Sequence, residues 1–441
     1  MSTRADLVVS PSGWQPPYAL RALRHRNFCL FFVGQFVSRT GFWMQSMAQG
    51  WLVYRLSQSS FMLGLVAFAG QFPALILGLF AGVVADCFDR YRVVMFTQSL
   101  AMLQALTLGI LTLGGWITVK EVFFLAFFYG AVQAFEMPAR QIFLQDIVGK
   151  EDLNSAIALN SALVNGARIL GPALAGALVA KAGEGACFSI NGVCYLAIIG
   201  GFLAMSLPPQ ATTVSTTAIS TWAFIHEGIF YARHTPVIRL LLMLIGLISL
   251  LSTPYTVLMP VFAKDILHGG PGGLGLLMGA TGSGAVVGSI FLARHQGTDK
   301  LGRTIAFSLV RFGIGLILFS LSRNLWLSLL LLPLVGSGFM VPMSAANTLL
   351  QTLTPDHLRG RVMSLFLMTF MGTPPLGSLL TGTLAPHIGA PLTVGLTGVC
   401  CLGAAVWFAL KMHLLLEIHE GKEIVEAEQR VMGKESVVSG Q

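Results

Sequence analysis

Charge is what this chain has least of. Only 10% of its 441 residues are Asp, Glu, Lys or Arg, against 54% that are hydrophobic, whereas water-soluble domains carry about 25% charged residues. One water-soluble core cannot absorb that much apolar sequence, so lipid must solvate most of the chain. Cysteine is also scarce, and its six positions build no framework. Cys29, Cys187, Cys194, Cys400 and Cys401 sit within apolar runs, where they read as small apolar residues, and Cys87 sits in a loop. There is no CxxC and no metal-ligand spacing, so no disulfide scaffold and no metal are expected. The nine histidines are scattered, with no HExxH pair, and no Ser/His/Asp set can be assembled from local motifs. GATGSGAVVG (279–288) has GxxxG spacing but no following Lys-Ser/Thr, so it reads as helix packing rather than a phosphate loop. Catalysis, cofactors and ATP-driven pumping by this chain alone are therefore not expected.

What the chain does have is long, unbroken apolar runs. Lipid offers backbone groups no hydrogen bonds, so a spanning segment must be a helix or part of a closed barrel. Runs of roughly 20 residues without alternation select helices. Candidate spans fall at 28–55, 61–85, 93–115, 121–146, 153–180 and 187–206, and again at 237–262, 272–293, 304–321, 327–350, 362–385 and 389–413. The expected organisation is an N-terminal tail (1–27), a six-helix bundle (28–206), a polar linker (207–236), a second six-helix bundle (237–413) and a tail (414–441). In the linker, Trp222 to His234 carries apolar residues at helical spacing among His226, Glu227, Arg233 and His234, which reads as an amphipathic helix on the membrane surface.

Orientation follows from Lys and Arg. With the N-terminus inside, 18 fall in cytoplasmic segments and five (Arg55, Lys120, Lys181, Lys264 and Arg323) in outer loops, so both termini are expected in the cytoplasm of a cell (inner) membrane protein. The net charge of +8 is then membrane-surface charge and not a nucleic-acid footprint.

The two sets of six look duplicated. PARQIFLQDIVGKEDLNSAIAL (138–159) and PMSAANTLLQTLTPDHLRGRVMSL (342–365) lie about 205 residues apart. Each runs from a proline in the fourth span of its set, through a short polar loop, into the fifth, as a parallel repeat requires. The loop GVVADCFDRYR (82–92) resembles the major facilitator superfamily signature G-x-L-A-D-R-x-G-R-[RK]. Gly82, Ala85, Asp86, Arg90 and Arg92 supply its glycine, alanine, acid and basic residues, while Cys87 and Asp89 depart from it. NGARILGPALAG (165–176) resembles that superfamily's antiporter motif through Gly166, Gly171, Pro172 and Gly176, with Ala175 for one glycine and Arg168 inside it. GFWMQSMAQGWLVYRLSQSSFMLGL (41–65) is similar to the subgroup holding enterobactin and macrolide exporters. The resemblance implies an all-α fold of twelve transmembrane helices in two six-helix halves, export by alternating access, and a latch of Asp86, Arg90 and Asp146 holding the halves closed inside. Read physically, the glycines of 165–176 let two helices approach closely.

Charge at membrane depth is costly and usually functional. Arg39, Glu136, Arg140, Arg168 and Arg311 are placed there. Span 1 adds a polar stripe with Gln35, Ser46 and Gln49, and Gln45 beside it; span 4 adds Gln133, and span 10 adds Asn347. The resemblance implies that spans 1, 4, 7 and 10 line a central cavity, so these residues become candidates for binding substrate, with Glu136 also a proton carrier. A structural salt bridge of Glu136 with Arg39 or Arg140 is the alternative. The expected partners are lipid, a small molecule and protons, and the expected unit is a monomer. An importer of a nutrient or siderophore, an intramembrane enzyme and a membrane scaffold are the competing functions. Four arginines against one carboxylate favour a bulky amphipathic substrate with anionic character.

The topology has a direct check. Single cysteines replacing Lys181 or Lys264 should react with an impermeant maleimide added outside cells, and those replacing Arg92 or Lys300 should not. Outside labelling at position 92 would overturn the orientation.

Overall fold

The computed structural model describes residues 18–205, 221–294 and 298–412. The two tails beyond these bounds and the linker segment 206–220 lie outside the described residues, as do the side chains of Asp86 and Cys87. A short 3-10 turn, Tyr18–Arg24, leads into α1 (Arg26–Ser57), followed by α2 (Ser60–Cys87) and α3 (Arg90–Leu113). The next helical stretch, Val119–Leu203, has glycines in non-helical conformation at Gly149 (φ 74°) and Gly183 (φ 79°). They divide it into α4 (Val119–Gly149), α5 (151–182) and α6 (184–203). Then come α7 (Thr221–His234), α8 (Pro236–Val261), α9 (Gly270–Arg294), α10 (Thr298–Leu321), α11 (Leu325–Leu353), α12 (Asp356–Ile388) and α13 (Ala390–Leu410).

Twelve of these helices cross the bilayer. Ten apolar segments qualify by length and composition, one of them the 53-residue Glu151–Leu203 that Gly183 folds into two. The remaining crossing is α1, whose Arg39 and glutamines dilute its hydropathy. The sequence expectation of polar loops at 146–153 and 180–187 is corrected here. Each turn is essentially one glycine in the left-handed half of φ space, where a side chain would be strained. Reversal at Gly183 is visible in the packing against α1. On α5, Gly166 and then Gly171 meet Phe36 and then Trp43, so the helices run together. On α6, Asn191 and then Ile198 meet Gly41 and then Gly34, so the direction is opposite.

The apolar surface is sorted by solvent in reverse. On α3, Phe96, Leu103 and Ile110 recur every seven residues and are each about 60% exposed, whereas Val94, Ala101, Ala105 and Leu108 are buried. An outward apolar stripe of that kind is a lipid-facing face. The surface helix α7 begins close to where the amphipathic pattern predicts it and is tied to α12 by Glu227 and Arg361, 2.6 Å apart.

The first six spans form one half and α8–α13 the other. The halves meet along two helix pairs at the end bearing the loops near residues 58 and 389. On α2, a Cβ at Gly64 would sit 2.4 Å from the Ser378 carbonyl and 2.7 Å from Gly382 Cα of α12. On α9, a Cβ at Gly275 would sit 2.3 Å from the Pro172 carbonyl and 3.0 Å from Gly176 Cα of α5. Only glycine allows backbones that close. One buried apolar cluster, from Met44 to Cys401, is shared by both halves at this end. Two further clusters are each confined to one half: Ala22–Phe202 in the first and Ala232–Phe408 in the second.

Gly275→Leu should therefore force this end apart. Spin labels at Gln58 and His387 should report a longer distance than in the unmodified protein, and an unchanged distance would show that the glycine seam does not set the closure.

Candidate functional site

Two buried features lie between the helices. The first is an ion cluster inside the N-terminal half. Glu136 on α4 is 2% exposed; Arg39 of α1 donates from Nη2 to both its oxygens at 3.1 and 3.2 Å. Arg140, one turn further along α4, brings Nε to 2.8 Å from Glu136 Oε1. Gln98 of α3 donates to the same oxygen at 3.2 Å. The side chains of Arg39 and Arg140 are only 14% and 12% exposed. Two guanidiniums thus face one carboxylate, leaving a net positive charge among helices. Isolated buried charge is expensive, and pairing with directed hydrogen bonds is what makes it tolerable. Tyr129 and Tyr195 border the cluster, and Tyr129 stacks on Phe42 at 5.8 Å.

The second feature is a cavity of about 190 Å³ where the halves face each other. Trp43 of α1 and Arg168 and Pro172 of α5 form one wall. Tyr255 and Met259 of α8, Met278 and Thr281 of α9, and Phe339 of α11 belong to the other. Arg168 Cζ lies 5.0 Å from the Trp43 ring centroid, a cation–π contact.

The structure brings some sequence-selected residues together and separates others. Arg39, Glu136 and Arg140 converge. Gln45 turns instead into the half, donating to Gln104 Oε1 at 3.1 Å and accepting from Asn191 at 2.8 Å, so its amide bridges α1, α3 and α6. Gln35 is buried one turn from Arg39. Gln133 donates to the Tyr129 hydroxyl. Gln49 is half-buried on α1, next to Gly50, which faces Pro260 of α8. Asn347 belongs to α11 in the other half, and its Oδ1 accepts from Gln351 at 3.0 Å. Arg311, on α10, does not line the cavity.

Arg90 and Asp146 do pair, at 3.0 and 3.2 Å. They tie α3 to α4 within one half, so this pair does not itself bridge the halves as the sequence reading supposed. Asp89, the departure from the loop signature, caps α3 by accepting from the Tyr91 amide at 3.0 Å. In the glycine motif, Gly171 admits α1, a Cβ there falling 2.5 Å from Trp43 Cβ, and Gly176 admits α9, 2.8 Å from the Pro271 carbonyl. Gly166 touches only the Phe36 ring, at an ordinary 3.7 Å.

Sequence reasoning missed Gln98, Gln104 and Asn191 as partners, and Tyr255 and Phe339 as cavity wall. A lone amide in an apolar run was the available signal for the first three. Nothing in the sequence separates a cavity aromatic from a lipid-facing one.

Known proteins agree with this architecture. The family model described as transmembrane secretion effector matches residues 17–435. The chain is 26% identical over 392 residues to the staphyloferrin A transporter of Staphylococcus aureus, covering 88% of this chain and 98% of that protein. It is 28% identical to the multidrug efflux pump Tap of Mycolicibacterium fortuitum (78% and 85% covered) and 24% to the enterobactin exporter EntS of Citrobacter koseri (90% and 94%). The crystal structure of the peptide transporter POT superposes with a TM-score of 0.72 at 14% identity, covering 88% of this chain and 94% of that one.

Removing Glu136 should destabilise the protein strongly, since two buried arginines lose their counter-charge. Glu136→Ala should cost about 3–5 kcal/mol in detergent unfolding. Adding Arg39→Leu should return part of that loss, and additive losses in the double variant would show that the two side chains are not coupled.

Proposed function

The chain belongs to the transmembrane secretion effector family of major facilitator transporters, and from that premise we propose that it exports a small amphipathic compound, a siderophore or a drug, by proton-coupled alternating access. It is a multi-pass membrane transporter and not an enzyme. The observation that carries the finer reading is Glu136. Every other described acid on the spans lies within a few residues of a span end, whereas Glu136 sits mid-helix between two arginines. A membrane carboxylate held by movable cations is a two-state element. Protonation from the outer face removes its charge and releases Arg39 and Arg140, and hydrogen-bond donors of a substrate compete with that proton for the same oxygens.

The remaining assignments follow from orientation. With 18 cytoplasmic Lys and Arg against five outside, both termini are cytoplasmic and the closed glycine seam faces outward. The described state is then the one closed toward the outside, and an export substrate loads between the halves 28–206 and 237–413 from the cytoplasm. Asp86 belongs to the latch that forms when the inner end closes. Its partner is the start of α12, where the cap residue Pro355 supplies no side-chain hydrogen bond and the positive end of the helix dipole favours an acid. The Arg90–Asp146 pair holds α3 and α4 in place behind it. One chain encloses the whole path, so the working unit is a monomer. Two of the relatives are named as an efflux pump and an exporter, which supports outward transport.

Flux decides direction and coupling together. In inverted vesicles, uptake of enterobactin, staphyloferrin A or a macrolide should rise when the lumen is acidified and fall back on collapse of the pH gradient. Glu136→Gln should abolish that response. Faster accumulation in right-side-out vesicles would make the protein an importer, and a gradient response intact in Glu136→Gln would remove Glu136 from coupling.

A further inference from the structure

Arg168 is not needed for the packing that its motif explains. The motif's close approaches are made by Gly171 against α1 and by Gly176 and the Pro172 carbonyl against α9. Arg168 lies one turn before them, and its stem passes Gly282 of α9, where a Cβ would come within 3.4 Å of Arg168 Cγ. Its head enters the cavity between the halves. Among the described residues no carboxylate pairs with it, and its Nε is buried with no hydrogen-bond partner. Its attractive neighbours are the Trp43 face, 5.0 Å away, and the Tyr255 hydroxyl of the other half. The other deep arginines in the half, Arg39 and Arg140, share Glu136. Arg168 lies 17 residues from the start of α5 (151–182), about 25 Å along the axis and so near mid-membrane.

An arginine stacked on an aromatic face keeps its in-plane N–H groups free for another partner. Among the described residues none of the cavity's aliphatic hydroxyls is hydrogen-bonded to Arg168. Ser252, Thr256 and Thr281 already donate to backbone carbonyls of their own helices. The rest of the wall is apolar or aromatic: Met259, Met278, Phe339 and the Tyr255 ring. At about 190 Å³ the space is smaller than a typical drug-sized site of roughly 300–1,000 Å³. It takes one end of a larger molecule: a planar head group with an adjoining ring or short chain.

We propose that Arg168, braced on Trp43, is the anchor for an anionic head group of the transported molecule, a carboxylate or comparably planar oxyanion, with the methionine and aromatic wall holding the apolar portion beside it. This rests on the transport reading above and adds a substrate class to it. The anchor belongs to α5 and most of the apolar wall to α8, α9 and α11, so the occupant touches both halves. Binding therefore bears directly on how the halves sit against each other.

Binding of matched probes to the full chain tests this without any gradient. In nanodiscs of phosphatidylcholine, 1-naphthoate should bind about tenfold or more tightly than the uncharged 1-naphthamide, because a hydrogen-bonded charge on a buried arginine distinguishes them. Arg168→Gln should erase that ratio, and Arg168→Lys, which keeps the charge but not the fork, should reduce it to a few fold. Equal affinity of the two probes in the unmodified chain would overturn the proposal even if no Arg168 variant folded. So would a ratio that persists in Arg168→Gln. Loss of naphthoate binding on adding phosphatidylglycerol would give the site to a lipid headgroup and also overturn it. Direction and proton coupling do not enter these measurements, so the binding result and the export reading stand or fall separately.

Discussion

Backbone-to-backbone contact between glycines at one end of the molecule sets the arrangement of everything else. Gly64 against Gly382, and Gly275 against Gly176 and the Pro172 carbonyl, bring α2 to α12 and α5 to α9 closer than any side chain would allow. In lipid, apolar side chains gain little by leaving one hydrocarbon for another, so helices associate through such close packing. The consequence is one apolar core common to both halves at that end, and a separate core for each half beyond it. The cavity bounded by Trp43 and Arg168 lies next to this seam. Transport by rocking needs a seam that can be made and remade, and glycine contacts with few interlocking side chains suit that requirement.

Charge is distributed with the same economy. One carboxylate, Glu136, serves two arginines from different positions, Arg39 on α1 and Arg140 on its own helix, with Gln98 of α3 completing the shell. The cluster holds α1, α3 and α4 together inside a single half, while Gln45 does a similar job with Gln104 and Asn191. Arg168 stands apart from both groups, braced on Trp43 of its own half with its head in the cavity between the halves. Within the N-terminal half the deep charge is positive overall, and its two positive centres differ in kind: one satisfied within the protein, the other left toward the cavity.

The fold was largely legible in the sequence. Span positions follow from apolar length, and the paired Pro138 and Pro342 segments do occupy equivalent helices, α4 and α11, each ending in a turn before the next span. The turns themselves were misjudged as loops of several residues, because polar residues such as Glu151 and Asn154 belong to the first turns of α5 rather than to a connection. The site was less legible. Periodicity placed Gln35 and Arg39 on one stripe of α1 with Gln45 beside it, but not that Gln45 bonds to α3 and α6 whereas Arg39 reaches α4. A helix face is a sequence property, but the identity of the helix opposite it is not.

The amino-acid order alone determined that the chain lives in lipid, that it crosses as helices, and that its motifs are those of a major facilitator transporter, because hydropathy, length and short signatures are local quantities. Only the tertiary structure decided which charges neutralise one another. Arg140 and Arg168 look alike along the chain, each an arginine at membrane depth near a helix-kinking proline. One finds Glu136 a turn away and the other finds the ring of Trp43 and an open space between the halves. The Arg39–Glu136 pair joins positions 97 residues apart in the chain, a distance that only the packing of α1 against α4 closes.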